Sequence, residues 1–250
     1  MKKLHEKDQV LFAIFWIVVY VVGFSNADSL SLELGMPKLL TTCVGLILSL
    51  ILLGFIRKNG LMEYYGLCRF RGNWKHFLYF IPLIVITSTN LWNGVQMNLD
   101  ILASVLMVVS MCFVGFLEEV IFRGLLFKSM SRSNVTSAIV VSSLTFGMGH
   151  IVNLLRGEPV FETMLQLVYA SAIGLCYTAI FFTGGSILPC ILSHALFNSL
   201  STFSVERTNG GDVLITLILS AMSVGYGVWL LLADPRRKAA AAQREGTPNS

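Results

Sequence analysis

Glu118 and Glu119 stand side by side inside an apolar run that extends from Ile101 to Phe127. A run of that length can cross a bilayer as a helix. An ionised side chain at bilayer depth costs a few kcal/mol or more, so it faces a cavity or a partner and points to function. These two are the only ones of the 14 acidic residues that fall well inside a predicted span. Helical spacing separates them. Glu119 and Arg123 are i and i+4, stacked on one face with the acid on the favourable N-terminal side. Glu118 is turned about 100° away from Glu119. The spacing predicts a self-neutralising Glu119–Arg123 pair and a Glu118 without a local partner. The plainer alternative is one structural ion cluster between helices.

The rest of the chain has the composition such a run requires. Hydrophobic residues make up 55% of the 250 and charged residues 13%, whereas soluble domains carry about 25% charged residues. Hydropathy marks spans at about 10–26, 38–56, 76–93, 101–127, 135–155, 162–183, 187–204 and 212–232. The expected fold is therefore all-α: a polytopic membrane protein of about eight transmembrane helices, with a polar site buried in the bundle. Residues 1–233 form a single integral-membrane domain, its first span retained rather than cleaved. The polar, Ala-rich stretch 234–250 is expected to be a disordered cytoplasmic tail.

Charge sets the orientation. With the N-terminus inside, only Lys38, Arg156 and Arg207 of the 18 Lys and Arg fall outside. Positive charge in short loops marks the cytoplasmic side, so both termini are expected there, in the plasma membrane of a prokaryote. The loop from Arg57 to Lys75, with Tyr64, Tyr65, Phe70 and Trp74, reads as an anchor among membrane lipids. No basic cluster is interleaved with aromatics, so nucleic acid is not implied. The five cysteines (Cys43, Cys68, Cys112, Cys176 and Cys190) are scattered and suggest neither a disulfide framework nor a zinc ribbon.

Two of the four histidines lie in apolar segments. In the fifth span Phe146 and His150 share a face, and in the seventh His194 and Asn198 do. Singly, an intramembrane His or Asn is more often an interhelical hydrogen-bonding group than a catalyst. Together with Glu118 on a third span they make a less ordinary set.

Glu118-Glu119 with Arg123, Phe146 with His150, and His194 with Asn198 give E-E-x-x-x-R, F-x-x-x-H and H-x-x-x-N in order. This series resembles the three motifs of the CPBP family, which includes CAAX prenyl endopeptidases, Abi-type immunity proteins and bacteriocin-processing enzymes. The motif core covers residues 118–198. The resemblance implies a hydrolase, an intramembrane endopeptidase acting on a peptide or a lipidated, CAAX-type peptide. It implies catalytic roles for Glu118, His150, His194 and Asn198, with Glu119, Arg123 and Phe146 supporting the site. Glu118 would deprotonate a water, His150 would hold that water and pass a proton to the leaving amine, and His194 and Asn198 would bind the oxyanion.

A metalloprotease is the closest alternative, with Zn²⁺ held by Glu118, His150 and His194, although H-E-x-x-H is absent and Asn is an uncommon zinc ligand. No cofactor is required otherwise. A non-catalytic scaffold that binds a partner protein, and a proton-relaying transporter, are further readings, the last weakened by the absence of repeats. By helix rise, Glu118 and His150 are expected below the cytoplasmic surface, with substrate arriving from that side or laterally.

Overall fold

The computed structural model describes residues 1–70, 80–205 and 210–234. Its long elements are α1 (Gln9–Glu33), α2 (Leu39–Lys58), α3 (Ile81–Ser88), α4 (Ile101–Glu119), α5 (Val135–Met148), α6 (Val160–Gly184), α7 (Leu188–Ser201) and α8 (Gly211–Ala233). Side-chain caps start three of them. Asp8 accepts from the amides of Val10 and Leu11, Asp100 from Ala103, and Asn134 from Ser137. Each satisfies an amide that the first helical turn leaves open.

The protein is all-α and polytopic, but its helices are not all long enough to cross a membrane. Among the described residues six helices are long and apolar enough to span a membrane: Gln9–Glu33, Leu39–Lys58, Ile101–Met130, Val135–Leu155, Val160–Gly184 and Gly211–Ala233. α3 has 8 residues and α7 has 14. The longer of these rises about 21 Å, short of the ~30 Å hydrocarbon layer. Both begin on a proline in the first turn, Pro82 and Pro189, and they pack on each other. The start of the predicted third span and most of the tail lie outside the described residues.

α4 does not end where its α-hydrogen bonding ends. It runs directly into π-helical turns over Val120–Phe127 and then Lys128–Met130. Every side chain from Val120 to Phe127 is buried. The Phe122 carbonyl accepts a hydrogen bond from Ser142 Oγ of α5 at 2.9 Å. A side chain that enters the backbone ladder in this way is a recognised cause of helix irregularity, and single π turns concentrate at functional sites.

Close approaches set the positions of neighbouring helices. A Cβ on Gly115 of α4 would stand 2.8 Å from the Ala195 amide nitrogen of α7. A Cβ on Gly147 of α5 would stand 2.9 Å from the Leu167 carbonyl of α6. Small residues that let backbones meet are how membrane helices associate without a hydrophobic driving force.

The Arg57–Lys75 loop differs from the expectation of a headgroup anchor. Tyr65 is 1% exposed, and its hydroxyl lies 2.6 Å from His5 Nε2. Phe70 packs against Phe80 at 5.1 Å. These aromatics close one end of the bundle because the helices leave apolar surface there to cover; Trp74 lies outside the described residues.

Candidate active site

Glu119 and Arg123 are both fully buried. Arg123 Nη1 donates to Glu119 Oε1 at 3.0 Å, the i, i+4 contact that the spacing predicts. Its Nη2 donates to the Gly174 carbonyl of α6 at 3.2 Å. The guanidinium also lies over the Phe146 ring, 4.1 Å from its centroid, and 5.5 Å from that of Tyr177. Aromatic faces attract a cation most strongly where water is excluded. This arrangement gives Phe146 a place between Arg123 and the histidines: its ring meets His150 edge-on at 6.1 Å and His194 at 5.5 Å.

Glu118 differs in surroundings. Its side chain is 12% exposed and faces a cavity of about 320 Å³. The local spacing leaves it without a partner on its own helix, and the Tyr20 hydroxyl of α1 donates to its Oε1 at 2.5 Å. The partner comes from 98 residues away, beyond the reach of any local pattern. A tyrosine in mid-span, away from the interfacial belts where tyrosine usually sits, is the one signal in the sequence that singles it out.

His194 connects the two acids. Its Nδ1 lies 2.9 Å from Glu119 Oε1 and its Nε2 lies 3.7 Å from Glu118 Oε2. An ionised carboxylate only accepts, so Nδ1 carries the proton and donates to Glu119 Oε1, and Nε2 faces Glu118. The Gly115–Ala195 approach brings this imidazole to α4.

Glu118, His150, Asn198, Tyr20 and Phe146 line the same cavity. His150 enters it from a 3₁₀ turn, Gly149–Ile151, that continues α5. Asn198 enters from the last turns of α7, where Asn90 Nδ2 holds the neighbouring Phe197 carbonyl at 2.7 Å. His194 is not part of the lining and sits behind Glu118. The expected juxtaposition of His194 and Asn198 on one oxygen is therefore not the arrangement seen: Asn198 faces the cavity, while His194 faces the glutamates.

The cavity continues past Tyr20 to Ser25, Asp28, Lys38, Thr41 and Arg156. These lie near the C-terminal end of α1, the start of α2 and the loop before α6, the end of the bundle opposite the N-terminus. The helix-rise expectation has the site below the cytoplasmic surface, with entry from that side or laterally; the cavity lining extends towards the opposite end. Helix rise measures depth along single helices and takes no account of which end their packing leaves open.

Among the described residues no group of three His, Cys, Asp or Glu is placed to hold a metal ion.

No curated protein and no solved structure matches the chain. Residues 100–200, which contain α4, its π extension, α5, α6, all but the last residue of α7 and all the motif residues, match the family model described as type II CAAX prenyl endopeptidase Rce1-like. Over this segment, less than half of the chain, the sequence is similar to that family of CAAX-type intramembrane proteases.

Proposed function

We propose that the chain is an intramembrane endopeptidase in which Glu118 activates water against a peptide carbonyl. The observation that carries this reading is the convergence of Glu118, His150 and Asn198 on one cavity, with Glu118 oriented from outside its own helix by Tyr20. A water between Glu118 and His150 gives a proton to the Glu118 carboxylate as its oxygen bonds to the carbonyl carbon. The carbonyl π electrons move to oxygen, and the Asn198 amide donates to the oxyanion. His194 Nε2, 3.7 Å from Glu118, offers a second basic atom for that proton. Collapse of the tetrahedral intermediate breaks the C–N bond, and His150 or Glu118 returns a proton to the leaving amine. General acid–base transfer of this kind contributes about 10²–10⁴ in rate.

Glu119 and Arg123 hold the geometry without entering the reaction. The substrate is a peptide or lipidated peptide; prenylated C-termini, pheromone precursors and bacteriocin leaders all satisfy the chemistry. It enters from the end that carries Lys38 and Arg156, or laterally from the bilayer. With the basic-rich ends inside, that entrance faces the outside of the cell.

The test is cleavage of a peptide library by the purified protein, with and without chelator, beside Glu118→Gln. The expected result is chelator-resistant cleavage that Glu118→Gln abolishes while the protein stays folded. Cleavage by Glu118→Gln at the parent rate would overturn the reading. Loss of activity on chelation, restored by Zn²⁺, would replace it with metal catalysis.

A further inference from the structure

A second recess, of about 370 Å³, opens at the N-terminal end of the bundle, away from Glu118 and its cavity. Gln9, Leu61, Tyr64, Lys128, Ser131 and Arg132 line it. Its depth follows from the helices that meet there. Gln9 opens one membrane-length helix, Gln9–Glu33, and Lys128 and Arg132 flank the end of another, Ile101–Met130. The recess therefore lies at headgroup level, where the hydrocarbon layer gives way to phosphates.

The open charge in this recess is positive and donating. Gln9 Oε1 is already taken, by the Tyr64 hydroxyl at 3.3 Å and by Arg132 Nη1 at 3.4 Å. Ser131 Oγ donates to the Lys128 carbonyl at 3.1 Å. Among the described residues neither Lys128 nor Arg132 meets a carboxylate. Asp8, beside Gln9, directs its side chain to the amides of Val10 and Leu11. An ammonium has three N–H groups and a guanidinium five, so most are left for a ligand. Lys128 and Arg132 are also four positions apart, so two like charges stand on one side of the last helical turns and repel.

Basic residues at a helix C-terminus often serve its open carbonyls. Here those carbonyls have other donors. Phe127 O accepts from the Ser131 amide at 2.8 Å, and Met130 O from the amides of Ser133 and Asn134 at 3.1 and 3.2 Å. The two cations are not needed there. The wall beside them is apolar and held in place. Lys128 Nζ stands 5.3 Å from the Tyr64 ring centroid and 5.9 Å from that of Phe181. Tyr64 meets Tyr65 edge-on at 4.9 Å, and the Tyr65 hydroxyl is tied to His5. A phosphodiester carried on acyl chains matches both parts. Its anionic oxygens suit the cations, and its glycerol and first methylenes suit Leu61 and the Tyr64 ring.

We propose that Lys128 and Arg132 bind the phosphate of an anionic phospholipid from the leaflet that the N-terminus faces, with Gln9, Leu61 and Tyr64 seating the headgroup. Basic pockets between helices at this depth suit such headgroups. The site takes no part in the peptidase chemistry. Lys128 follows directly on the π segment that begins after Glu119, so a bound lipid also fixes the far end of the helix that carries both glutamates.

The experiment titrates the full chain in dodecyl maltoside with dioleoylphosphatidylglycerol or dioleoylphosphatidylcholine and reads one-to-one binding by native mass spectrometry. The anionic lipid should bind about 25-fold more tightly, roughly fivefold for each basic residue near a membrane surface. Lys128→Gln and Arg132→Gln should each cut that preference about fivefold, and the double variant should abolish it. Arg132 is exposed, so its variant reads the site even where Lys128→Gln lowers folded yield. Arg57→Gln/Lys58→Gln removes the same charge from the exposed end of α2 and should leave the preference as in the parent. Excess glycerol phosphate should not displace the lipid. Equal binding of the two lipids, or a preference that survives the double variant, would overturn the proposal. So would an equal loss in the Arg57/Lys58 variant, which would mean a diffuse surface field rather than a site. Displacement by glycerol phosphate would overturn the lipid assignment and leave a soluble phosphate as the ligand.

Discussion

Replacing Glu119 by glutamine leaves Arg123 without its counter-charge and turns the acceptor of His194 Nδ1 into a neutral amide. Both side chains are fully buried, so water cannot substitute for the lost carboxylate. Arg123 would keep the Gly174 carbonyl and the faces of Phe146 and Tyr177. Its Nε already has no hydrogen-bond partner among the described residues. Removing one partner of a buried ion pair costs about 3–5 kcal/mol, against a total stability of about 5–15 kcal/mol. At about 2–4 °C of Tm per kcal/mol for a chain of this size, the expected drop is roughly 6–20 °C. Glutamine preserves shape and one acceptor, so the result should lie in the lower half of that range. The paired variant Glu119→Gln/Arg123→Met removes the orphaned charge and should recover much of the loss. Thermal unfolding in detergent, followed by tryptophan fluorescence, measures all three proteins. A Tm for Glu119→Gln within ~2 °C of the parent would refute the reasoning, as would a double variant no more stable than the single one.

Asn198→Ala should lower kcat by about 10²–10³, the loss seen when an oxyanion donor is deleted, with KM little changed; an unchanged kcat would remove Asn198 from the chemistry. Gly115→Val should destabilise by about 1–3 kcal/mol, since overpacking moves backbone and the first added carbon already meets the Ala195 amide nitrogen at 2.8 Å. Its folded yield on size exclusion should fall, and a parental yield would show that α4 and α7 can separate freely. Burial holds His5 below its ordinary pKa of 6.5, a shift that Glu6 only partly opposes. The unfolded chain therefore binds the proton more readily, so stability is full above pH ~6.5 and declines as pH falls below it. Melting curves at pH 7.5 and 5.5 should show a larger loss for the parent than for His5→Gln, and identical losses would contradict this.

What the sequence made legible was whatever a single helix determines. The apolar runs locate every long helix, the i, i+4 rule pairs Glu119 with Arg123, and the same rule sets Phe146 beside His150. Contacts between helices depend on crossing points and rotations that periodicity does not encode. Tyr20 therefore reaches Glu118 unannounced, and His194 meets Glu119 rather than sharing an oxygen with Asn198. The cavity mouth was hidden for a related reason. Lys38 and Arg156 count as outside charges in a topology tally, and their common partner Asp28 sits on a third segment. Tyr65 illustrates the opposite error: composition alone puts an aromatic beside basic residues at the headgroups, whereas tertiary packing draws it inward to His5.

The π turns after Glu119 also alter how this helix can tolerate change in length. Each π turn closes its hydrogen bond one residue later than an α turn, so Val120–Phe127 stores slack that a regular helix would not have. Deleting one residue there would let the segment tighten into α-helix. The two glutamates would keep their heading, and the part beyond Phe127 would turn by much less than the ~100° that the same deletion imposes on a regular α-helix, leaving Lys128 near the Tyr64 ring it overlies at 5.3 Å. The segment thus works as a length buffer between two halves of one rod. It can lose a residue over evolutionary time while the carboxylates stay pointed at their partners.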